Sequence, residues 1–170
     1  MTSAIYQELS ERAAVIYEKV VMWRRDFHRY PELAGHEERT SGLVAEHLRA
    51  LGLEVAEHVG GFGVVGLLRG EAGNGPVIGF RADMDALPLQ EQTGFPDASK
   101  IPGVMHACGH DAHTAMLMGT AEVLSAMRTQ LVVRGFSAMG AGTSYSAMPR
   151  RAIRRSTGTF LFSRPPSTGP

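Results

Sequence analysis

The sequence concentrates metal-binding side chains in one nine-residue stretch, residues 105–113. This stretch holds the only cysteine, Cys108, and three of the seven histidines, together with Asp111. Thiolate, imidazole and carboxylate groups are ligands for zinc first, and for manganese, cobalt or nickel after it. Cys108 and His110 are the strongest candidates, because residues two apart in an extended loop project to the same side. Gly109 between them lets the backbone pass close beneath an ion.

Two other interpretations of this stretch remain open. A single cysteine is most often a small buried residue and a single histidine a satisfied core or surface residue, so the cluster could be a structural coincidence. Cys108 beside a histidine could also be the nucleophile of a Cys-dependent hydrolase, which would survive chelation and be lost on alkylation. The density of ligands favours a metal site over both alternatives.

A second group of candidate site residues follows the apolar run at residues 77–82. Asp83 and Asp85 come directly after this run. Because its apolar residues lie on both faces, the run predicts a central strand that is covered on both sides. Open α/β sheets place their chemistry at the carboxyl ends of such strands. Either aspartate could instead be a strand-end cap in a polar turn, where aspartate is common.

The elements that must position these residues are predicted from the spacing of apolar side chains. Spacings of three and four residues predict helices over residues 4–29, 37–51 and 113–127. Runs rich in β-branched residues predict strands over residues 53–59, 64–68 and 77–82. The proline-containing stretch 86–104 is predicted to be a loop. This order of elements predicts an α/β domain with a mixed sheet between helical layers.

Length and composition are typical of one ordinary soluble domain. The 170 residues are 44% hydrophobic and 20% charged. A single cysteine excludes an internal disulfide framework and fits a reducing compartment. No apolar run approaches the about 20 residues of a membrane span, and Glu8, Glu11 and Arg12 interrupt the region where a signal peptide needs its apolar core. We therefore expect a cytoplasmic protein.

The net charge of zero conceals two unlike parts. Residues 1–127 contain all 17 acids and 10 of the 17 basic residues, a net charge of −7, whereas residues 128–170 contain seven arginines and no acid. A basic tail of this kind could bind nucleic acid or an acidic membrane. The abrupt loss of every acid at the boundary is better explained by a shift of reading frame or by a disordered tail. We therefore expect neither a nucleic-acid partner nor a membrane partner.

Four motifs together resemble the M20 metallopeptidase family in their order and spacing. They occupy residues 27–33, 61–65, 81–88 and 98–113. Within that family they are most similar to the amidohydrolases of N-acyl amino acids, such as hippurate hydrolase. The resemblance covers about residues 5–127. It implies that residues 1–127 are the N-terminal part of a three-layer α/β/α zinc-peptidase-like catalytic domain with a mixed sheet, incomplete in this chain.

The resemblance also implies roles for individual residues. Cys108 and His110 correspond to two metal ligands of the family, and Asp85 to the active-site carboxylate that orients a ligand or supports the general base. Four further residues are expected around them and help to orient the ligands: Asp83, His106, Asp111 and His113. His28 and Arg81 are expected to be structural.

Parts of the family's catalytic machinery have no counterpart in this sequence. The resemblance implies that the complete family acts on small N-acyl amino acid substrates. Its members use two divalent ions, and a glutamate serves as the general base. That glutamate is expected in a Gln-Pro-Ala-Glu-Glu segment beyond residue 127, yet no acid follows Glu122 and no histidine follows His113. The family also dimerises through a lid domain that is not found here. These gaps predict one weakly bound ion at most (Zn, Mn, Co or Ni), no general base, and an inactive chain. The alternative is a non-catalytic metal-binding or interaction module.

Overall fold

The protein was analysed as a computed structural model, which describes residues 2–133 and 135–140. The helices are α1 (Thr2–Arg29), α2 (Glu38–Ala50) and α3 (His110–Ala126), and the strands are β1 (Glu54–Val59), β2 (Gly63–Leu68), β3 (Val77–Ala82) and β4 (Gly135–Gly140). A short 3-10 helix, Arg128–Gln130, follows α3. None of the described helices is both long and apolar enough to cross a membrane. All three helices and all three strands predicted from the sequence are present.

The four strands form one mixed sheet in the order β1-β2-β4-β3. β1 pairs with β2 and β2 with β4 in antiparallel fashion, whereas β3 runs parallel to β4. The prediction of an α/β domain with a mixed sheet is confirmed, as an incomplete α/β domain. β4 was not predicted, and it lies in the part beyond residue 127 that was expected to be atypical. The boundary at residue 127 stays a prediction, and residues 141–170 of the expected tail lie outside the described residues.

The surroundings of β3 differ from the prediction of a central, doubly covered strand. Among the described strands it lies at an edge of the sheet, and Val77 and Ile78 are 53% and 42% exposed. Burial begins only at its last residue, Ala82. The apolar residues on both faces of β3 predicted that other elements would bury the whole strand. The described elements bury only its carboxyl end. This buried end leads directly into Asp83 and Asp85.

Helix α3 begins at His110, three residues earlier than predicted. The reason is Gly109, which precedes the helix with a φ of 85°. This left-handed conformation is accessible to glycine without the steric cost that a side chain would bring. The chain can therefore turn into the helix immediately after Cys108, and His110 and Asp111 occupy its first turn.

The core lies between the sheet and the three helices. Helix α2 packs on β1 and β2, α3 packs on β3 and β4, and α1 packs on α3. The buried apolar residues of this core are Phe27, Val44, Ala45, Leu48, Leu53, Val64, Leu68, Met84, Ala115, Met118 and Ala121. Gly119 permits the close approach of α1 and α3, since a Cβ there would lie 2.8 Å from Val20 Cγ2 and 3.2 Å from Ile16 Cδ1. The core thus holds the start of α3 against both the sheet and α1.

Replacing Gly119 with leucine is expected to destabilise the fold. The added side chain would push α1 away from α3, and overpacking of this kind costs about 1–3 kcal/mol in the free energy of unfolding. Gly42→Leu is a matched control, because Gly42 also lies in a helix but is exposed and has open space around it. Urea denaturation of both variants measures the difference. Equal losses of stability in the two variants would contradict this account of α1–α3 packing.

His47 makes the stability of the helical junction depend on pH. Its ring packs edge-on against Trp23 with 4.6 Å between centroids, and its Nε2 lies 3.2 Å from the carbonyl oxygen of Met118. Burial, assisted by the positive charge of Lys19, outweighs the Met118 carbonyl and the Glu122 carboxylate and lowers the pKa of His47. The neutral imidazole is therefore favoured in the folded protein.

The stabilisation from neutral His47 should be fully present above the unfolded-state pKa of about 6.5. It should be lost as the pH falls through the lower folded-state pKa, because in that interval the unfolded chain binds more protons than the folded one. Urea denaturation at several pH values, for the unmodified protein and for His47→Gln, measures this loss. The variant should show a shallower decrease in the free energy of unfolding, and an unchanged decrease would show that another group is responsible.

Candidate metal centre

The carboxyl end of β3 and the first turn of α3 meet at His110 and Asp85. His110 Nδ1 lies 2.9 Å from the backbone carbonyl oxygen of Asp85 and 3.0 Å from its Oδ1. An Nδ1–H that donates to these oxygens leaves Nε2 as the nitrogen that can bind a metal. Metal-binding histidines are commonly held in this way by a carboxylate or a carbonyl on the other ring nitrogen. The geometry therefore suits His110 to metal binding and Asp85 to its orientation.

Cys108 lies two residues before His110 and is exposed as a free thiol. The left-handed Gly109 between them makes the turn from the loop into α3. A thiol and an imidazole are both ligands that zinc accepts, so the chemistry of the two side chains fits a metal ion. Within residues 2–133, however, no group of three or more histidine, cysteine, aspartate or glutamate side chains is arranged to hold one. The described residues thus fit part of a coordination shell.

Asp83 lies on the same strand end as Asp85, and its carboxylate pairs with Arg81. Its Oδ1 accepts hydrogen bonds from Arg81, at 2.8 Å from Nε and 2.6 Å from Nη2. The backbone carbonyl of Asp83 also accepts a hydrogen bond from the Thr114 hydroxyl at 3.0 Å. Asp83 therefore fastens the strand end to α3 through its backbone carbonyl and pairs its carboxylate with Arg81.

The two other residues of the first turns of α3 point in different directions. Asp111 is buried and faces α1, where its Oδ2 lies 2.7 Å from His28 Nδ1 and 3.0 Å from Arg24 Nε. His113 is exposed, with its ring centroid 5.9 Å from that of His110. The carboxylate of Asp111 is thus bound to α1, whereas His113 lies on the same side of α3 as His110.

His106 precedes Cys108 by two residues and is almost completely buried, at 5% exposure. Neither of its ring nitrogens has a hydrogen-bond partner among the described residues. Burial, with the positive charges of His28 and His110, lowers the pKa of His106 to about 4, although Asp111 and Asp85 oppose that shift. The neutral imidazole is therefore favoured at His106 in the folded chain.

The buried carboxylate of Glu37 was not predicted to be a site residue. It is 1% exposed, its Oε1 has no hydrogen-bond partner within the described chain, and it immediately precedes α2. Glu32 instead caps this helix, since its two oxygens accept the backbone N–H groups of Arg39 at 2.9 Å and Thr40 at 2.7 Å. Burial, together with the negative charges of Asp85 and Glu32, raises the pKa of Glu37. No local pattern in the sequence distinguishes Glu37 from the exposed Glu38 beside it.

Comparison with known proteins identifies the family that this part of the chain matches. Residues 79–136, which span β3, the candidate ligands and α3, match the model of the peptidase family M20/M25/M40. The matched region belongs to the M20 family. A crystal structure of the YXEP protein of Bacillus subtilis, described as a dinuclear metal-binding peptidase of this family, aligns at 39% identity with a TM-score of 0.69. The alignment covers 75% of this chain and 35% of the Bacillus chain.

Two curated relatives are similar over more than two thirds of the chain. The N-acyl-L-amino acid amidohydrolase of Geobacillus stearothermophilus is 44% identical over 125 residues, which cover 74% of this chain and 34% of the relative. Thermostable carboxypeptidase 1 of Saccharolobus solfataricus is 49% identical over 121 residues, which cover 71% of this chain and 30% of the relative. The chain thus spans about one third of the length of these relatives. The family resemblance of the sequence motifs is confirmed.

Proposed function

We propose that this chain is the N-terminal part of a metal-dependent hydrolase that cleaves the amide bond of N-acyl amino acids. The observation that carries the proposal is the His110–Asp85 pair beside the exposed Cys108, since it presents one oriented imidazole and one accessible thiol at the same strand end. Relatives named as an N-acyl-L-amino acid amidohydrolase and as a carboxypeptidase support cleavage of an amide bond next to an amino acid.

Each residue of the centre has a distinct proposed role. Cys108 and His110 would contribute one sulfur and one nitrogen ligand to a divalent ion, and Asp85 would hold His110 through Nδ1. Such an ion, when bound, polarises an amide carbonyl and lowers the pKa of a water molecule. No histidine follows His113 and no acid follows Glu122 in the sequence. The later residues therefore offer neither a histidine or glutamate ligand for the rest of the shell nor a general base. The centre of this chain is therefore proposed to be half of the family's site.

A second candidate function is a non-catalytic metal-binding or interaction module. It is favoured by the two-ligand geometry, because no third ligand joins Cys108 and His110 within the described residues. The module would bind an ion or pair with an intact relative without turning over substrate. Metal-dependent hydrolysis that is sensitive to a chelator would support the enzyme, and metal binding without hydrolysis would support the module.

The purified chain is expected to bind a single zinc, cobalt, manganese or nickel ion weakly. Metal affinity depends on a complete and preorganised set of ligands, and two ligands leave most of the shell to water. Dialysis against a chelator should therefore remove the ion readily, as measured by metal analysis of the protein before and after. Tight, stoichiometric zinc that resists the chelator would contradict a half-site.

A further inference from the structure

A buried histidine on α1 joins two segments that flank the proposed metal centre. His28, 6% exposed, lies in the last turn of α1. Its Nδ1 is 2.7 Å from Asp111 Oδ2, and its Nε2 is 3.3 Å from Glu91 Oε1. Both partners are buried as well, since the side chains of Asp111 and Glu91 are 0% and 2% exposed. One imidazole thus engages two buried carboxylates from different parts of the chain.

The first of these carboxylates belongs to the start of α3. Asp111 follows His110 directly, and both residues lie in the first turn of the helix. Arg24, also on α1, reaches the same carboxylate with Nε at 3.0 Å from Oδ2. Because Asp111 is tied to α1 while His110 is tied to Asp85 at the end of β3, the first turn of α3 is held from two sides. A movement of Asp111 would therefore rotate His110 relative to Asp85.

The second carboxylate organises the loop that leads to the metal ligands. Glu91 Oε2 accepts a hydrogen bond from the backbone N–H of Ser99 at 2.6 Å, which closes the segment between them. The ends of the longer loop are joined by two backbone hydrogen bonds between Leu87 and Met105, each 3.0 Å long. Met105 is the first of residues 105–110, which we call the metal-binding loop and which end at the first residue of α3. Glu91 thus ties the segment that precedes this loop to α1 through His28.

His28 offsets the cost of burying the carboxylates of Asp111 and Glu91. A buried carboxylate is costly unless it is paired and hydrogen-bonded. Burial raises the pKa of Glu91, but the Ser99 N–H, the Thr93 hydroxyl and His28 outweigh that effect and hold the pKa below its usual value. Glu91 is therefore ionised in the folded chain, and loss of His28 would leave two buried carboxylates without their shared partner.

We infer that His28 is a positioning residue of the proposed metal centre, acting by clamping Asp111 and Glu91 so that the metal-binding loop is held in its binding geometry. This inference rests on the proposed function, because it requires Cys108 and His110 to bind the ion. The side-chain partners of His28 are Arg24, Asp111 and Glu91, so it would act on the ligands through the chain and not on the ion. Loss of a residue that orients a ligand weakens metal binding by about 10–100-fold, and an effect of that size is expected for loss of the clamp.

The chain offers a matched control in His47. Like the buried His28, the half-buried His47 joins α3 to another helix. Its Nε2 lies 3.2 Å from the backbone carbonyl oxygen of Met118. Met118 lies eight residues beyond His110, which is about 12 Å along the helix. A loss of general stability should follow from either substitution. An effect on metal binding should follow only from the substitution of His28.

Titration of the full chain with Co²⁺, followed through thiolate-to-cobalt absorption, tests the inference. His28→Gln is expected to bind Co²⁺ about 10–100-fold more weakly than the unmodified chain, with His47→Gln close to unmodified. Unchanged affinity in His28→Gln, or an equal loss in His47→Gln, would overturn the clamp. If His28→Gln does not fold, Glu91→Gln serves in its place, because it weakens the same link and leaves His28 and Asp111 together.

Amide hydrogen exchange of the metal-free chain separates failure of the clamp from failure of the proposed function. Absence of thiolate-to-cobalt absorption in the unmodified chain would refute the proposed function alone. The clamp would then be decided by exchange at Ser99 and at residues 110–113. Faster exchange there in His28→Gln than in His47→Gln supports the clamp, and equal exchange in the two variants refutes it.

Discussion

The 170-residue chain is expected to show no appreciable hydrolysis of N-acetyl or N-benzoyl amino acids, with or without added zinc, manganese or cobalt. No third candidate ligand joins Cys108 and His110 among its described residues, and the sequence has no acid after Glu122 to act as the missing base. A general base alone contributes roughly 10²- to 10⁴-fold to a rate. Loss of Lewis-acid stabilisation by a second ion would add several kcal/mol to the barrier.

A sensitive assay can establish this absence if a complete enzyme is run beside it. The N-acyl-L-amino acid amidohydrolase of Geobacillus stearothermophilus, 44% identical over the shared region, is a suitable positive control. Activity of the chain should be lower than that of the control by at least about 10²-fold at equal concentration. Metal-dependent turnover that copurifies with the chain, and is lost in Cys108→Ser, would show that the chain carries a complete site after all.

Asp85→Asn is expected to weaken Co²⁺ binding by about 10–100-fold, the usual effect of losing the partner of a metal-binding histidine. Asp85 accepts the hydrogen bond of His110 Nδ1, and an asparagine amide can present its nitrogen there instead and favour the wrong tautomer. Asp83→Asn is the matched control, because Asp83 lies two residues away but pairs with Arg81. Competition titration against a chromogenic chelator measures both affinities.

The comparison of these two aspartates distinguishes a specific role from a general electrostatic one. Each substitution removes one negative charge near the same strand end, so a purely electrostatic effect on a cation would be similar in both. Equal losses of affinity in Asp83→Asn and Asp85→Asn would therefore contradict the orienting role of Asp85. A loss confined to Asp85→Asn would support it.

The sequence predicted the elements whose patterns are local and missed the strand that depends on distant partners. The apolar stripe of α1 and the β-branched run of β2 are visible in short windows. β4 reads Gly-Phe-Ser-Ala-Met-Gly, with two glycines and no β-branched residue, so its propensity gives no indication of a strand. It forms one because it pairs with β2 on one side and β3 on the other. Such pairing is decided by tertiary contacts.

The same distinction holds for the candidate centre. Cys108 and His110 were predicted from their density and spacing, and Asp85 from its place after a buried strand end. The link between His28 and Asp111 spans 83 residues, and that between His28 and Glu91 spans 63. No short window contains both partners of either link, so neither could be predicted from local patterns. The buried carboxylate of Glu37 was missed for the same reason, because its surroundings include the charge of Asp85, which lies far from it in the sequence.

X-ray absorption of the cobalt-loaded chain tests the central claim most directly, since it identifies the atoms bound to the metal. We expect one sulfur and one imidazole nitrogen in the shell, with oxygen atoms in the remaining positions. Cys108→Ala should then lose the sulfur signal and bind the ion still more weakly, because only His110 remains. A shell without sulfur in the unmodified chain, or tight stoichiometric binding that persists unchanged in Cys108→Ala, would contradict a metal centre built on Cys108 and His110.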